Sequence, residues 1–239
     1  KYVQKGKKIV NAEKPRVKVL DNIRKDYGEN EKDHKSVSII IEPASEKGIS
    51  FLQYDYEEKG KDTDQWIYLS AMGKIKRIVS GNDNEPKTGS FFGSEISYED
   101  MEQVNIEEYT YKITGNETYR KKACWVIEST PTKERAMKSN YSKMVDYIDK
   151  ENFISLKTIL YSRSGKQIKK IYTGKIERID GILIPRQTVV YNLETRRRTS
   201  MTMLEVSINK EIDDGFLTKR TLTDGAFRER HLKRYQGDF

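Results

Sequence analysis

Short runs of alternating apolar and polar residues, separated by polar or glycine turns, constrain this chain more than any other feature. Val37 and Ile39 fall on one side of such a run, and Leu52 and Tyr54 fall on one side of the next. Successive side chains of a strand point to opposite faces, so this spacing is typical of an antiparallel sheet with one buried face. The pattern predicts roughly ten strands in consecutive hairpins and a mainly β (α+β) fold.

Turn and cap signals fix some of the connections. Asp180-Gly181 predicts a two-residue hairpin, and a second hairpin is expected around Gly115. The tail at 224–235 is compatible with a helix that begins at Asp224. Neither βαβ alternation nor a Pro- or Gly-rich linker divides the chain, so we expect one domain, 1–239, built on one strongly curved antiparallel sheet. A sheet of that length closes, splits or is covered.

The stretch at 64–101 is the most particular part of the sequence. An aromatic strand at Trp66 and Tyr68 is followed by a basic strand at 74–78 and then by Phe91-Phe92 between two glycines. Such a stretch predicts one wall and one loop of the sheet. No catalytic signature has this shape.

The charge of the chain indicates which classes of partner it can bind. Lys and Arg total 45 against 37 Asp and Glu, a net charge of +8, which favours anionic lipid headgroups or acidic partners. The excess is not concentrated in one stripe with a nucleic-acid reading motif, so we expect no nucleic-acid partner. Cys124 is the only cysteine, and no run reaches the ~18 to 20 apolar residues that span a bilayer.

Catalytic and cofactor chemistry finds little support. His34 and His231 are the only histidines, so we expect no metal site, no catalytic residues and no cofactor. Glu99 and Asp100 are adjacent carboxylates after Ser97, and the capping of a helical turn explains them better than catalysis. We therefore expect a protein that is not an enzyme.

The residues that suggest a family lie in this same stretch. They read Asp64-Gln65-Trp66-Ile67-Tyr68-Leu69, then Lys74-Ile75-Lys76-Arg77-Ile78, then Ser90-Phe91-Phe92-Gly93-Ser94-Glu95-Ile96-Ser97-Tyr98-Glu99-Asp100-Met101. In order and spacing this resembles the LolA-like outer-membrane lipoprotein-sorting family, related to the lipoprotein carriers LolA and LolB. Looser matches extend the resemblance over about 37–222. They are Tyr141-Ser142-Lys143, Gly165-Lys166 with Lys169, Thr199 after Glu194-Thr195, and Phe216-Leu217-Thr218-Lys219-Arg220-Thr221-Leu222. Ser70 replaces a proline that is usual in the family.

The resemblance implies an unclosed β-barrel with a few covering helices, whose hydrophobic cavity binds lipid or lipoprotein acyl chains. Plain core packing predicts the same alternation as a cavity lining, so both interpretations stay open. The candidate lining residues are Leu52, Tyr54, Tyr56, Trp66, Tyr68, Phe91, Phe92, Trp125 and Ile127. Candidate headgroup contacts are Lys74, Lys76 and Arg77.

The resemblance also implies a place and a set of partners. We expect a periplasmic or bacterial-envelope carrier that transports lipid or an acylated lipoprotein toward the outer membrane. A resistance-nodulation-division exporter is a possible partner, and the chain meets a membrane surface transiently or through an N-terminal lipid anchor. The sequence begins at Lys1 without a start methionine, as a trimmed mature form would. The alternative is an exporter-associated interaction subunit without lipid cargo, with Phe91 and Phe92 in an exposed docking patch.

Overall fold

The chain divides into two compact units in a computed structural model, which describes residues 1–5, 8–28, 32–58, 60–80 and 85–236. One unit joins Lys1–Lys14 to Ser80–Val206, and the other joins Pro15–Val79 to Ser207–Phe239. We name them the seven-stranded unit and the five-stranded unit after their main sheets.

The main sheet of the seven-stranded unit is a series of antiparallel hairpins in the order β14-β13-β12-β11-β10-β9-β8. Its strands are β8 (Tyr109–Tyr119), β9 (Lys122–Pro131), β10 (Tyr141–Asp149), β11 (Ser155–Ser162), β12 (Gln167–Ile179), β13 (Ile182–Asn192) and β14 (Arg197–Thr202). The predicted turn at Asp180-Gly181 is confirmed, with φ angles of 45° and 83° that suit Asp and Gly.

The β8–β9 hairpin forms, but its turn differs from the prediction. The chain reverses at Arg120 and Lys121, whose φ angles are 49° and 66°. Gly115 instead lies inside β8, where the pairing register with β9 shifts between Ile113 and Gly115. A glycine within a strand often marks such a bulge, so the glycine that suggested a turn marks an irregularity in a longer strand.

The seven-stranded unit also contains smaller elements. A separate hairpin pairs β1 (Tyr2–Lys5) with β2 (Lys8–Asn11). Helix α1 (Lys133–Lys138) lies between β9 and β10. Short 3-10 turns at Phe91–Gly93, Glu99–Met101 and Ile106–Glu108 lead into β8.

The five-stranded unit has its sheet in the order β3-β4-β5-β6-β7. Its strands are β3 (Val19–Tyr27), β4 (Asp33–Glu42), β5 (Ser50–Asp55), β6 (Asp64–Leu69) and β7 (Lys74–Ile78). Three 3-10 turns occur, at Ala44–Glu46, Ser70–Met72 and Asp214–Phe216, with helices α2 (Lys219–Thr223) and α3 (Gly225–Gln236). The predicted N-cap is confirmed, because a carboxylate oxygen of Asp224 accepts a 2.9 Å hydrogen bond from the Phe227 amide.

The predicted fold class is confirmed: the protein is mainly β and antiparallel, with few helices and no closed barrel. Apart from the separate β1–β2 hairpin, the described strands are divided between a seven-stranded and a five-stranded sheet, where the sequence predicts one curved sheet. Splitting is one of the ways in which a long twisted sheet relieves its twist. It occurs where the described part of 79–108 contributes no strand. That 1–239 act as one lipid-binding domain stays a prediction.

Candidate functional site

The predicted lining residues Leu52 and Trp66 lie in the core of the five-stranded unit. They are direct partners on β5 and β6, and they are 0% and 7% exposed. The helical segments cover this face of the sheet with Phe216, Leu217 and Leu222, each 0% exposed. The side chains that the sequence assigns to this wall are therefore packed as a filled core.

The predicted tyrosines of the same sheet lie around this core. The Tyr54 hydroxyl donates a 2.7 Å hydrogen bond to the Leu217 carbonyl, and its ring lies edge-on to Trp66 at 5.1 Å. Burial raises the Tyr54 pKa. Tyr68 packs against the core cluster, whereas Tyr56 donates to an Asp64 carboxylate oxygen at 3.0 Å. These bonds help to fix the helical cover and the strand ends.

The three predicted headgroup contacts do not converge on one site. Lys74, Lys76 and Arg77 are all exposed on the edge strand β7. Successive side chains of a strand alternate between faces, so Arg77 points away from the two lysines. Its guanidinium lies 2.5 Å from an Asp64 carboxylate oxygen. Their role as headgroup contacts stays a prediction.

Phe91 and Phe92 are buried, at 4% and 8% exposure. Their ring centroids are 4.3 Å apart, in a 3-10 turn where Phe92 has a φ of 48°. The exposed docking patch that the alternative function requires is therefore wrong for these two side chains. The burial of Phe91 and Phe92 was not predictable from the sequence, because two phenylalanines between glycines occur both in exposed loops and in buried turns.

A buried ionic cluster holds the 90–101 segment in place. The Lys169 ammonium contacts a carboxylate oxygen of Asp100 and the Tyr141 hydroxyl, the latter at 2.8 Å. Tyr141 in turn donates to Asp100 at 2.6 Å. Burial, and then Asp100, raise the Tyr141 pKa, so its hydroxyl keeps the proton that it donates. The Lys169 and Asp100 side chains are only 7% and 5% exposed.

The adjacent Glu99 belongs to a second group of bonds. Its carboxylate accepts from the Asn140 amide at 2.9 Å, from the Asn140 side chain at 2.8 Å and from the Arg135 guanidinium at 3.3 Å. The Ser139 hydroxyl also donates to it. Both carboxylates are thus occupied by structural partners.

The capping interpretation of Asp100 is also supported by geometry. The Ser97 amide donates to an Asp100 carboxylate oxygen at 2.7 Å, and the Asp100 amide donates to the Ser97 hydroxyl at 3.2 Å. In the sequence, Tyr141, Lys169 and Thr199 are only loose motif matches, and their contacts with the 90–101 segment were not predicted. The two carboxylates of the motif were the signal that could have suggested cationic partners.

One row of directly paired side chains crosses all seven strands of the larger sheet. It consists of Ile113, Ile127, Asp146, Thr158, Ile171, Val190 and Thr199. Residues directly opposite one another share one side of a sheet, and we name this side the Ile127 face. Exposure falls from 61% at Ile113 to 2% at Val190, so the row is open at β8 and covered toward β14.

The 90–101 segment attaches to the covered end of the Ile127 face. The Glu95 amide donates to the Thr199 hydroxyl at 2.9 Å, and Lys169 lies two residues before Ile171 on the same strand and face. Both attachment points of the segment therefore belong to the face that carries Ile127.

Trp125 extends the Ile127 face at its open end. It lies two residues before Ile127 on β9 and is only partly buried. Its ring centroid is 5.9 Å from that of Phe153, which is 72% exposed in the turn after β10. The Lys150 ammonium lies 5.4 Å from the Trp125 ring centroid. Of the predicted lining residues, Trp125 and Ile127 are thus together on one accessible apolar surface.

Asp146 is the acidic residue of this row. One carboxylate oxygen accepts hydrogen bonds from the Thr158 hydroxyl at 2.6 Å and from the Ser155 hydroxyl at 2.8 Å. Burial raises the Asp146 pKa, and the two hydroxyl bonds oppose this effect. The loss of water around the charged carboxylate therefore affects the pKa more than the two hydrogen bonds that stabilise the charged form.

The raised Asp146 pKa leads to a prediction about stability. The folded protein binds this proton more tightly than the unfolded chain, so the associated stability is present in acid and is lost as pH rises through the folded-state pKa. Asp146→Asn stays neutral throughout. We compare the free energy of unfolding of Asp146→Asn with that of wild type at each pH. This difference is expected to favour the variant more at neutral pH than at about pH 4, the ordinary pKa range of an aspartate. Urea unfolding across this pH range measures the difference; a difference that does not change with pH contradicts the prediction.

The sheet arrangement defines a class of fold, that of the LolA-like proteins. A domain from Vibrio parahaemolyticus, described as an outer membrane lipoprotein-sorting protein, superposes with a TM-score of 0.73 at 26% identity, over 84% of this chain and 82% of that one. A DUF1329 family protein from Desulfovibrio piger gives a TM-score of 0.73 at 23% identity, over 92% and 88% of the two chains. A LolA superfamily protein from Nitrosomonas europaea gives 0.57 at 19% identity, over 86% and 91%.

The sequence itself also matches a family model. That model is described as an uncharacterized protein and covers residues 32–224. The chain belongs to this family, and its structural neighbours are outer membrane lipoprotein-sorting, LolA superfamily and DUF1329 proteins. No curated protein matches the chain. In the part of the chain that the structure describes, no helix has both the length and the apolar character needed to cross a membrane.

Proposed function

We propose that this protein is a non-enzymatic carrier of the bacterial envelope that binds lipid or lipoprotein acyl chains on the Ile127 face. The observation that carries the proposal is the position of Trp125 and Ile127 on an apolar surface that is open at one end. In a LolA-like fold, such a surface is the part of the sheet that a lipid chain can reach without displacing a packed core.

The energetics of a carrier require such a surface. Each CH₂ taken out of water is worth ~0.8 kcal/mol, so a chain of ~15 carbons amounts to on the order of 12 kcal/mol in transfer free energy. A protein that takes the chain from a membrane must replace most of that burial. Ile113 is 61% exposed and Phe153 is 72% exposed, so apolar area is available at the open end of the face.

The other predicted residues have separate roles in this proposal. Leu52 and Trp66 support the five-stranded unit as core residues. Phe91 and Phe92 belong to the segment that covers the far end of the Ile127 face. The acyl chain contacts Trp125 and Ile127, together with the neighbouring Ile148 and Ile171 on the same face.

The place and the partners of the carrier are also proposed. We place it in the periplasm, where it moves lipid or an acylated lipoprotein toward the outer membrane. The similar structure from Vibrio parahaemolyticus, which is described as an outer membrane lipoprotein-sorting protein domain, supports this direction of transport. A resistance-nodulation-division transporter supplies or receives the cargo, and the carrier meets the membrane transiently or through an N-terminal lipid anchor. The net charge of +8 favours contact with anionic lipid headgroups.

Two measurements test lipid binding directly. Extraction of the purified protein into organic solvent, followed by mass spectrometry, is expected to release a bound lipid. Titration with a fluorescent fatty acid is expected to show saturable uptake. A protein that releases no lipid and takes up none would refute the carrier proposal.

Ile127→Glu is expected to weaken fatty acid binding by at least about tenfold, since an acyl chain would have to cover an unpaired carboxylate. The same titration measures it. Ile106→Glu is the matched control, because Ile106 is 74% exposed outside the strands and the change in charge is identical. Equal losses in both variants would mean that charge, and not the Ile127 face, decides binding.

A further inference from the structure

One carboxylate oxygen of Asp146 receives no hydrogen bond from the described residues. Both of its hydrogen bonds, from Thr158 and Ser155, end on Oδ1. Among the described residues no donor reaches Oδ2. The cross-strand neighbours of Asp146 are Ile127 on one side and Thr158 on the other, with Ile171 next in the row. The Oδ2 atom of Asp146 can therefore still accept a hydrogen bond, and it lies on the face that carries Ile127 and Ile171.

The lysines and arginines of the described residues supply no cation to this carboxylate. Lys143 and Lys157 lie on the same two strands but on the opposite side of the sheet. Lys143 pairs with Glu128 at 2.8 Å, and Lys157 lies 4.0 Å from the Tyr147 ring centroid. In the described ranges no lysine or arginine forms an ion pair with Asp146.

An uncompensated carboxylate in an apolar surface is costly to keep. Burial of a charge is tolerated when a counter-charge or several hydrogen bonds replace water. The two hydroxyls satisfy one oxygen and fix the orientation of the carboxylate, but they supply no positive charge. Carboxylates that pay such a cost are concentrated at functional sites.

We propose that Asp146 binds the ammonium group of an amphiphile whose hydrocarbon chain lies on the Ile127 face. The proposal rests on the proposed lipid-binding function and names the headgroup class of its ligand. The ammonium donates to Oδ2 while Thr158 and Ser155 hold Oδ1, and Ile127 and Ile171 contact the chain. A cation is favoured over a neutral hydroxyl because only a cation compensates the charge of the carboxylate.

Calorimetric titration with three amphiphiles of equal chain length tests the assignment: a primary alkylamine, the alcohol and the carboxylic acid, each below its micelle concentration. Wild-type protein is expected to bind the amine about tenfold more tightly than the alcohol, the effect of one charge-assisted hydrogen bond. In Asp146→Asn the ratio of the two affinities is expected to fall to about one. Asn can accept the same two hydroxyl bonds, which favours folding of the variant.

Asp180→Asn is the matched control, because it makes the same change at an exposed turn of the same sheet, and it is expected to keep the preference for the amine. A quaternary ammonium of equal chain length adds a test that needs no variant. Without an N–H to donate, it is expected to bind more weakly than the primary amine but still more tightly than the alcohol, because it keeps the charge that compensates the carboxylate.

The outcomes separate the two proposals. An amine that binds wild-type protein no more tightly than the alcohol, or a preference that survives in Asp146→Asn, overturns the assignment of Asp146 and leaves the carrier intact. If none of the three amphiphiles binds, the carrier proposal fails together with it.

Discussion

Lys169→Met is expected to lower the free energy of unfolding by about 3 to 5 kcal/mol, because it leaves the buried carboxylate of Asp100 without its cation. The Tyr141 hydroxyl and the Ser97 amide still donate to that carboxylate, but neither carries a charge. Urea unfolding measures the loss. The 90–101 segment depends on this contact, so we expect its amides to exchange hydrogen faster in the variant.

Lys170→Met is the matched control for this change. Lys170 is the next residue of β12 and lies on the opposite side of the sheet, so its replacement is expected to stay within about 0.5 kcal/mol of wild type. Adding Asp100→Asn to Lys169→Met removes both charges and is expected to recover part of the lost stability. Similar losses in Lys169→Met and Lys170→Met would show that the buried ion pair is not the cause.

Leu52→Ala is expected to cost about 2 to 5 kcal/mol, the range for a buried leucine whose removal leaves a cavity. Leu52 is 0% exposed beneath Phe216 and Leu222. Leu204→Ala, at a side chain that is 73% exposed, is the control and is expected to change stability by less than about 0.5 kcal/mol. Urea unfolding of Leu52→Ala and Leu204→Ala measures both changes in the free energy of unfolding.

The same variant tests which predicted lining residues touch lipid. If Leu52 is core, Leu52→Ala keeps fatty acid uptake under conditions in which it stays folded, whereas Trp125→Ala loses uptake with little loss of stability. The opposite pattern would move the lipid to the five-stranded unit. It would also require the helical cover over Leu52 to open.

The strand content was predictable because alternation depends only on local sequence. Asp180-Gly181 and Asp224 were equally local signals, and the structure confirms both. The split into two sheets was not predictable, since each strand carries the same alternating pattern whichever sheet it joins. Gly115 shows the limit of local signals, because a glycine is typical of both a turn and a bulge.

The candidate site was harder to predict for a related reason. Leu52 and Trp125 obey the same alternation, and only the tertiary structure shows that helices cover the first while the second stays partly exposed. The Lys169–Asp100 contact joins residues 69 positions apart, so no window of sequence contains it. Asp146 has no unusual neighbours in the sequence. Its surroundings come from the adjacent strands, with Ile127 on one side and the Thr158 hydroxyl on the other.

The sequence separation of the contacts leads us to expect an order of folding. Strands β8 to β14 pair with their neighbours in sequence, so each pairing closes only a short loop. The core of the five-stranded unit instead joins Tyr54 to Leu217 across 163 residues. Relative to a hairpin, closing that loop costs about 3 kcal/mol more in chain entropy. The strands of the five-stranded sheet also pair with their neighbours in sequence. We therefore expect both sheets to form before the C-terminal helices dock over Leu52.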